Sequence, residues 1–190
     1  APYRCWYHPP LGSGFSIGWV AIEGSAFFLW RPILAGLWLG FLSRRLALPG
    51  EPLRPGLRRW LTVAAGVLWL VMVGILVFNW QPGTYMGLIL GWALPPMALQ
   101  LFFGGDILWR YRRLVGLTIG TIAVYLSLVD ALAINWTIWT IDPAQSLPFL
   151  LGGVLPIAEF TFFLITTALL TFGVPLLLAQ ENHRRFAAIL

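Results

Sequence analysis

Lysine is missing from this 190-residue chain, and charge of any kind is scarce: twelve arginines and seven acidic residues make up 10% of the sequence. Soluble domains carry about a quarter charged residues, so a soluble fold is excluded. A single cysteine, Cys5, excludes an internal disulfide and a thiolate metal cluster. The two histidines, His8 and His183, stand near opposite ends and lack the spacing of a metal pair. No metal or nucleotide motif is present, so no cofactor is expected. What the chain has instead is 59% hydrophobic residues, with eleven tryptophans and thirteen phenylalanines. It reads as an integral membrane protein in contact with lipid. The aromatics suit interfacial belts and equally the lining of a cavity for a long apolar ligand.

The apolar runs divide the chain. The first covers roughly residues 11–42, interrupted by Glu23 and Arg31, and the second, 60–78, has no charge. The third, 85–103, contains Pro95-Pro96, which should kink or break its helix because Pro96 cannot donate its backbone hydrogen bond. The fourth, about 114–139, holds Asp130. A fifth segment runs from Leu147 to Gln180 with Glu159 as its sole formal charge, long enough to cross a bilayer even if tilted or kinked at Pro156. The expected fold is an all-α membrane protein of about five transmembrane helices. Residues 1–10 begin without Met and show no signal-peptide pattern, so the start is expected to lie inside a longer chain.

Ten of the arginines lie in three short stretches: 44–59, 110–113 and 184–185. That pattern reads as topology rather than nucleic-acid binding. By the positive-inside rule these stretches face the cytoplasm, which puts the first residues outside and the last ones inside, in a multi-pass protein of the cell membrane.

An ionisable side chain inside a span is costly unless it faces protein or trapped water, so by default it marks a site. The bland alternative for Glu159 is a neutral carboxyl hydrogen-bonded to a neighbouring helix. Counting from the expected segment ends places Glu23 and Glu159 about eleven residues, roughly 16 Å, below the outer side, and Asp130 about nine residues, roughly 14 Å. Three acids at a common depth point to one acidic pocket. Arg31, two turns inward of Glu23, either balances the charge and holds the pocket floor or snorkels to the interface.

The first and fifth segments repeat each other. Gly18 matches Gly153, Ile22 matches Ile157, and Phe27-Phe28-Leu29 matches Phe162-Phe163-Leu164. Both copies cross in the same direction, so a parallel repeat is expected.

At these residues, and at the stretches 85–95 and 103–110 and Asp130 with Ala133, Trp136 and Trp139, the chain resembles the integral-membrane lycopene cyclase family. That family occurs in archaea, in some bacteria and, fused to phytoene synthase, in fungi. It is built of two repeats, each with a Pro-Ile-Glu-Glu-like motif followed by Phe-Phe. The resemblance implies that residues 1–42 end a first cyclase-like repeat and 43–83 form a basic loop and linking helix. Residues 84–180 then form the second repeat and 181–190 a cytoplasmic tail. It also implies two further helices ahead of the first repeat, supplied by the rest of the chain, by a second chain or by a larger membrane complex.

The function implied is redox-neutral cyclisation of lycopene, or a related linear carotenoid, within the membrane. Glu23 and Glu159 would be the acid and base groups with Asp130 in support. Trp19, Phe27, Phe28, Pro156, Phe162, Phe163 and Arg31 would line the substrate site. The motifs depart from the family: where two adjacent acids are expected, the first copy has Glu23-Gly24 and the second Ala158-Glu159, and Ala21 stands where Pro156 does. The competing reading is a non-catalytic carotenoid-binding or structural subunit of a pigment complex. A transporter is a third, suggested by the repeat and the buried acids.

Overall fold

A computed structural model describes residues 6–7, 15–17, 20–46 and 54–179. Five long helices dominate: α1 (Ile22–Arg45), α2 (Pro55–Val77), α3 (Thr84–Arg110), α4 (Arg112–Asn135) and α5 (Ile157–Leu178). Four of them, α2 to α5, are long and apolar enough to cross a membrane. At 24 residues, α1 matches them in length, but carries Glu23, Arg31 and a terminal arginine pair. The protein is an all-α, multi-pass membrane protein.

Helix α5 is the centre of the bundle, packed against α1, α3 and α4, while α2 lies outside against α3. The exposure pattern follows: Ala93 of α3 and Ala158 of α5 are fully buried, whereas Trp60 and Leu70 on α2 are 74% and 62% exposed, as side chains in contact with lipid would be. In hydrocarbon a hydroxyl must find an acceptor nearby. Thr62, Thr118, Thr121 and Thr161 each donate to the carbonyl four residues back in their own helix.

Two expectations about proline are corrected. Helix α3 runs through Pro95-Pro96, and its non-helical residue is Gly104 (φ −151°, ψ 27°). Pro95 removes the N–H that would bond Gly91 O. Trp69 of α2 supplies the substitute, its Nε1–H donating to Gly91 O at 2.9 Å. Gly104 and Gly105 remove side-chain bulk where α3 meets Leu176 of α5 and Arg58 of α2, and the helix continues to Arg110, beyond the end of the apolar run at 103.

The second correction concerns Pro156, which does not kink a span but caps one. Residues 150–156 form a hairpin, β5 (Leu150–Leu151) paired antiparallel with β6 (Leu155–Pro156), turning at Gly152 (φ 60°) and Gly153 (φ 74°), where glycine alone is unstrained. Helix α5 starts immediately afterwards at Ile157. The aligned region is built alike: β2 (Ser16–Ile17) pairs with β3 (Val20–Ala21), and α1 starts at Ile22. Ile22 N–H donates to Phe15 O at 3.0 Å and Ile157 N–H to Phe149 O at 2.9 Å. A third ribbon pairs β1 (Trp6–Tyr7) with β4 (Thr140–Ile141).

Candidate active site

The start of α5 sets the site. With α5 beginning at Ile157, Glu159 is its third residue and Glu23 is the second residue of α1, not eleven residues into their spans as the apolar runs suggested. Glu159 is nonetheless buried, 4% exposed, because α3 and α4 cover the start of α5. A short 3₁₀ turn, Gln81–Gly83, leads into α3. The loop after α4 is fixed by Asp142, whose carboxylate accepts from Ala144 N–H and from Gln145 Nε2–H. Gln145 O then accepts from Tyr85 N–H at 2.9 Å. That tie brings the first turn of α3 to the site, and the Tyr85 hydroxyl donates to Glu159 Oε1.

Asp130 belongs to the same group. It is buried on α4, and its Oδ1 accepts from the Trp139 indole Nε1–H at 3.1 Å. Its other oxygen, Oδ2, is buried with no hydrogen-bond partner among the described residues. Glu159 lies within electrostatic reach of both Asp130 and Arg31. In a medium of low dielectric such charges act on one another strongly, so the three form one cluster.

Arg31 does not snorkel. It is 4% exposed, its Nη2–H donates to Thr166 Oγ1, and its guanidinium lies over the rings of Phe162 and Phe163 at 4.8 and 5.6 Å from their centroids. Thr166 Oγ1 donates in turn to Phe162 O at 2.5 Å. Phe162 and Phe163 are both buried, 5.5 Å apart, and Pro156 is buried at the α5 cap. Glu23, Phe27 and Phe28 take their places along α1, but their side chains, like the whole of Trp19, lie outside the described residues.

The sequence therefore named Glu159, Asp130, Arg31, Phe162 and Phe163, which the structure brings together. It did not single out Tyr85, Trp139 or Thr166 as site residues. Tyr85 and Trp139 fall within the stretches that carry the resemblance, yet nothing local to a tyrosine marks a partner 74 positions away.

Comparison with known proteins adds the family. A lycopene beta-cyclase of Halobacterium salinarum is 32% identical over 171 residues, which cover 88% of this chain and 69% of that protein. The chain belongs to the lycopene cyclase family. A bifunctional lycopene cyclase/phytoene synthase of Podospora anserina is 34% identical over 88% of the chain, and one of Aspergillus oryzae 30% identical over 90%. The chain spans only 30% of the length of each of these two fungal members of the lycopene cyclase family. No family model matches the chain, and no solved structure matches it.

Proposed function

We propose that this chain carries out acid-catalysed, redox-neutral cyclisation of the end groups of lycopene, or a related linear carotenoid, within the cell membrane. The observation that carries the reading is Glu159: a buried carboxyl at the head of the central helix, held by the Tyr85 hydroxyl beside a second buried acid, in a member of the lycopene cyclase family.

The chemistry asks for little else. Burial in an apolar medium favours the neutral form of a carboxyl group in general, and a neutral acid has a proton to give. With Tyr85 donating to Oε1, the transferable proton sits on Oε2. Its transfer to the terminal alkene forms a C–H bond and leaves a tertiary carbocation. The neighbouring alkene attacks that carbon to close a six-membered ring, and loss of a ring-side proton to a carboxylate leaves the new double bond. Substrate and product are isomers. The paired acid and base are Glu159 with Glu23 or Asp130, while Phe27, Phe28, Trp19 and Pro156 contribute apolar lining. The product class, an ionone-type ring, accords with the name of the Halobacterium relative.

One observation favours a second reading, a carotenoid-binding subunit without turnover. The ring faces of Phe162 and Phe163, suited to stabilising a carbocation, hold the Arg31 guanidinium instead. Expression in lycopene-accumulating cells separates the two. Cyclic carotenoids that disappear in Glu159→Gln support the enzyme, whereas unchanged lycopene that co-purifies with the protein supports the binding subunit.

A further inference from the structure

The two buried acids are tethered in the same way. Each gives one oxygen to the donor of an aromatic side chain: Glu159 Oε1 accepts from Tyr85 and Asp130 Oδ1 from Trp139. Asp130 Oδ2 then stands buried with no partner among the described residues. A buried carboxylate oxygen left unsatisfied is costly and calls for an explanation. When ionised, a desolvated carboxylate is a stronger base than a solvated one, and the bond from Trp139 to Oδ1 leaves Oδ2 as the oxygen open to a proton.

The direction matters because of the product chemistry. After ring closure the tertiary cation has C–H bonds on three neighbouring carbons: the ring carbon that bears the polyene, a ring methylene and a methyl group. Loss of a proton from each gives a different double-bond isomer. All three positions lie within a few Å of one another, so the isomer formed depends on which hydrogen the base faces.

Building on the cyclase reading above, we propose that Asp130, rather than Glu23, removes the proton, and that Trp139 is a positioning residue that selects the ring isomer by aiming Asp130 Oδ2. The step balances: the C–H electron pair becomes the new double bond and the proton passes to Oδ2. Glu159, which gave its proton at the start, is reset once Asp130 releases the proton it took, so the cycle is neutral overall. Trp139 suits this task because its indole N–H is a donor only, so it cannot accept the transferred proton. It stands four residues after the last residue of α4 and immediately precedes β4, whose pairing with β1 anchors the backbone next to it.

The test is isomer analysis of cyclic carotenoids from lycopene-accumulating cells, normalised to protein in the membrane. Asp130→Asn should cut ring formation by about 10² or more, the usual worth of a positioned acid or base, while Glu23→Gln should fall well short of that loss. Trp139→Phe should change the isomer ratio by about tenfold, as misplacement by a fraction of an ångström does in a positioned reaction. A purely structural role for Trp139 would lower total product without moving the ratio. If Trp139→Phe is lost from the membrane, Asp130→Glu, which advances the carboxylate by one methylene, takes its place and should also shift the ratio. An unchanged ratio in whichever variant is measured, or full activity in Asp130→Asn, overturns the proposal and leaves the cyclase reading standing. Absence of any ring product from the wild-type protein overturns both.

Discussion

Arg31 donates a hydrogen bond to Thr166, the residue on which it falls when Phe27-Phe28 is aligned with Phe162-Phe163. With Ile22 aligned on Ile157 and Phe27-Phe28 on Phe162-Phe163, Arg31 falls on Thr166. The two helices that start at equivalent residues thus meet at equivalent residues, one turn beyond the aromatic pair. A cation and a hydroxyl occupy the crossing where two identical residues would be symmetric. Thr166→Val should therefore remove an acceptor from a buried guanidinium and cost about 1.5–3 kcal/mol, the range for hydrogen bonds to charged groups. Thr166→Ser, which retains the hydroxyl, should cost less than about 1 kcal/mol. The Arg31→Met/Thr166→Val pair should destabilise by less than the sum of the single changes. Thermal unfolding in detergent reads all four; strict additivity would show that the contact carries no coupling.

The Tyr85 hydroxyl donates to Glu159 Oε1, which in the proposed mechanism leaves Oε2 to hold the proton. Tyr85→Phe leaves the carboxyl in place but free to rotate, so ring formation should fall by about tenfold, against about 10² or more for Glu159→Gln. Infrared spectroscopy gives an independent check. The carboxyl C=O stretch that vanishes in Glu159→Gln should move to higher frequency in Tyr85→Phe, because one hydrogen bond to the carbonyl oxygen is gone. No movement would mean that Tyr85 does not donate there.

How far the sequence carried this can be judged from particular residues. The spans were legible because uncharged runs of about twenty residues have one use, and Glu159 and Asp130 stood out because charge in such runs is rare. The start of α5 was misplaced because Leu147 to Pro156 is as apolar as the helix it precedes. Gly152-Gly153 and Pro156 were the local signs of a turn and a cap, and hydropathy masked them. Tyr85 and Trp139 were out of reach for another reason. Their partners are set by helix packing, and a lone aromatic near a helix end resembles any interfacial residue.

Pro95 and Trp69 make a matched pair. Trp69→Phe should strand Gly91 O inside the bundle and cost about 1–3 kcal/mol. Pro95→Ala restores an N–H four residues after Gly91, so the helix can satisfy its own carbonyl. Adding Pro95→Ala to Trp69→Phe should then recover most of the loss, whereas Pro95→Ala alone should be close to neutral. Failure of the second change to rescue the first would mean that Trp69 stabilises through its bulk and not through its donor.

Where α3 departs from helical geometry at Gly104, it lies against Leu176 of α5, and a Cβ on Gly104 would collide with the Leu176 side chain. Gly104→Ala should therefore displace the Leu176 side chain and cost about 1–3 kcal/mol as overpacking. Because the collision is with the end of a side chain and not with backbone, shortening that side chain should relieve it. Leu176→Ala alone opens a cavity and is itself destabilising, by about 2–5 kcal/mol. In the double variant the added methyl occupies part of that space, so its loss should be smaller than the sum of the two. The site at the other end of α5 supplies a second readout. If displacement at Gly104 stays local, the Glu159 infrared band should be unchanged in Gly104→Ala; a shift would mean that α5 moves as a rigid rod and carries the acid with it.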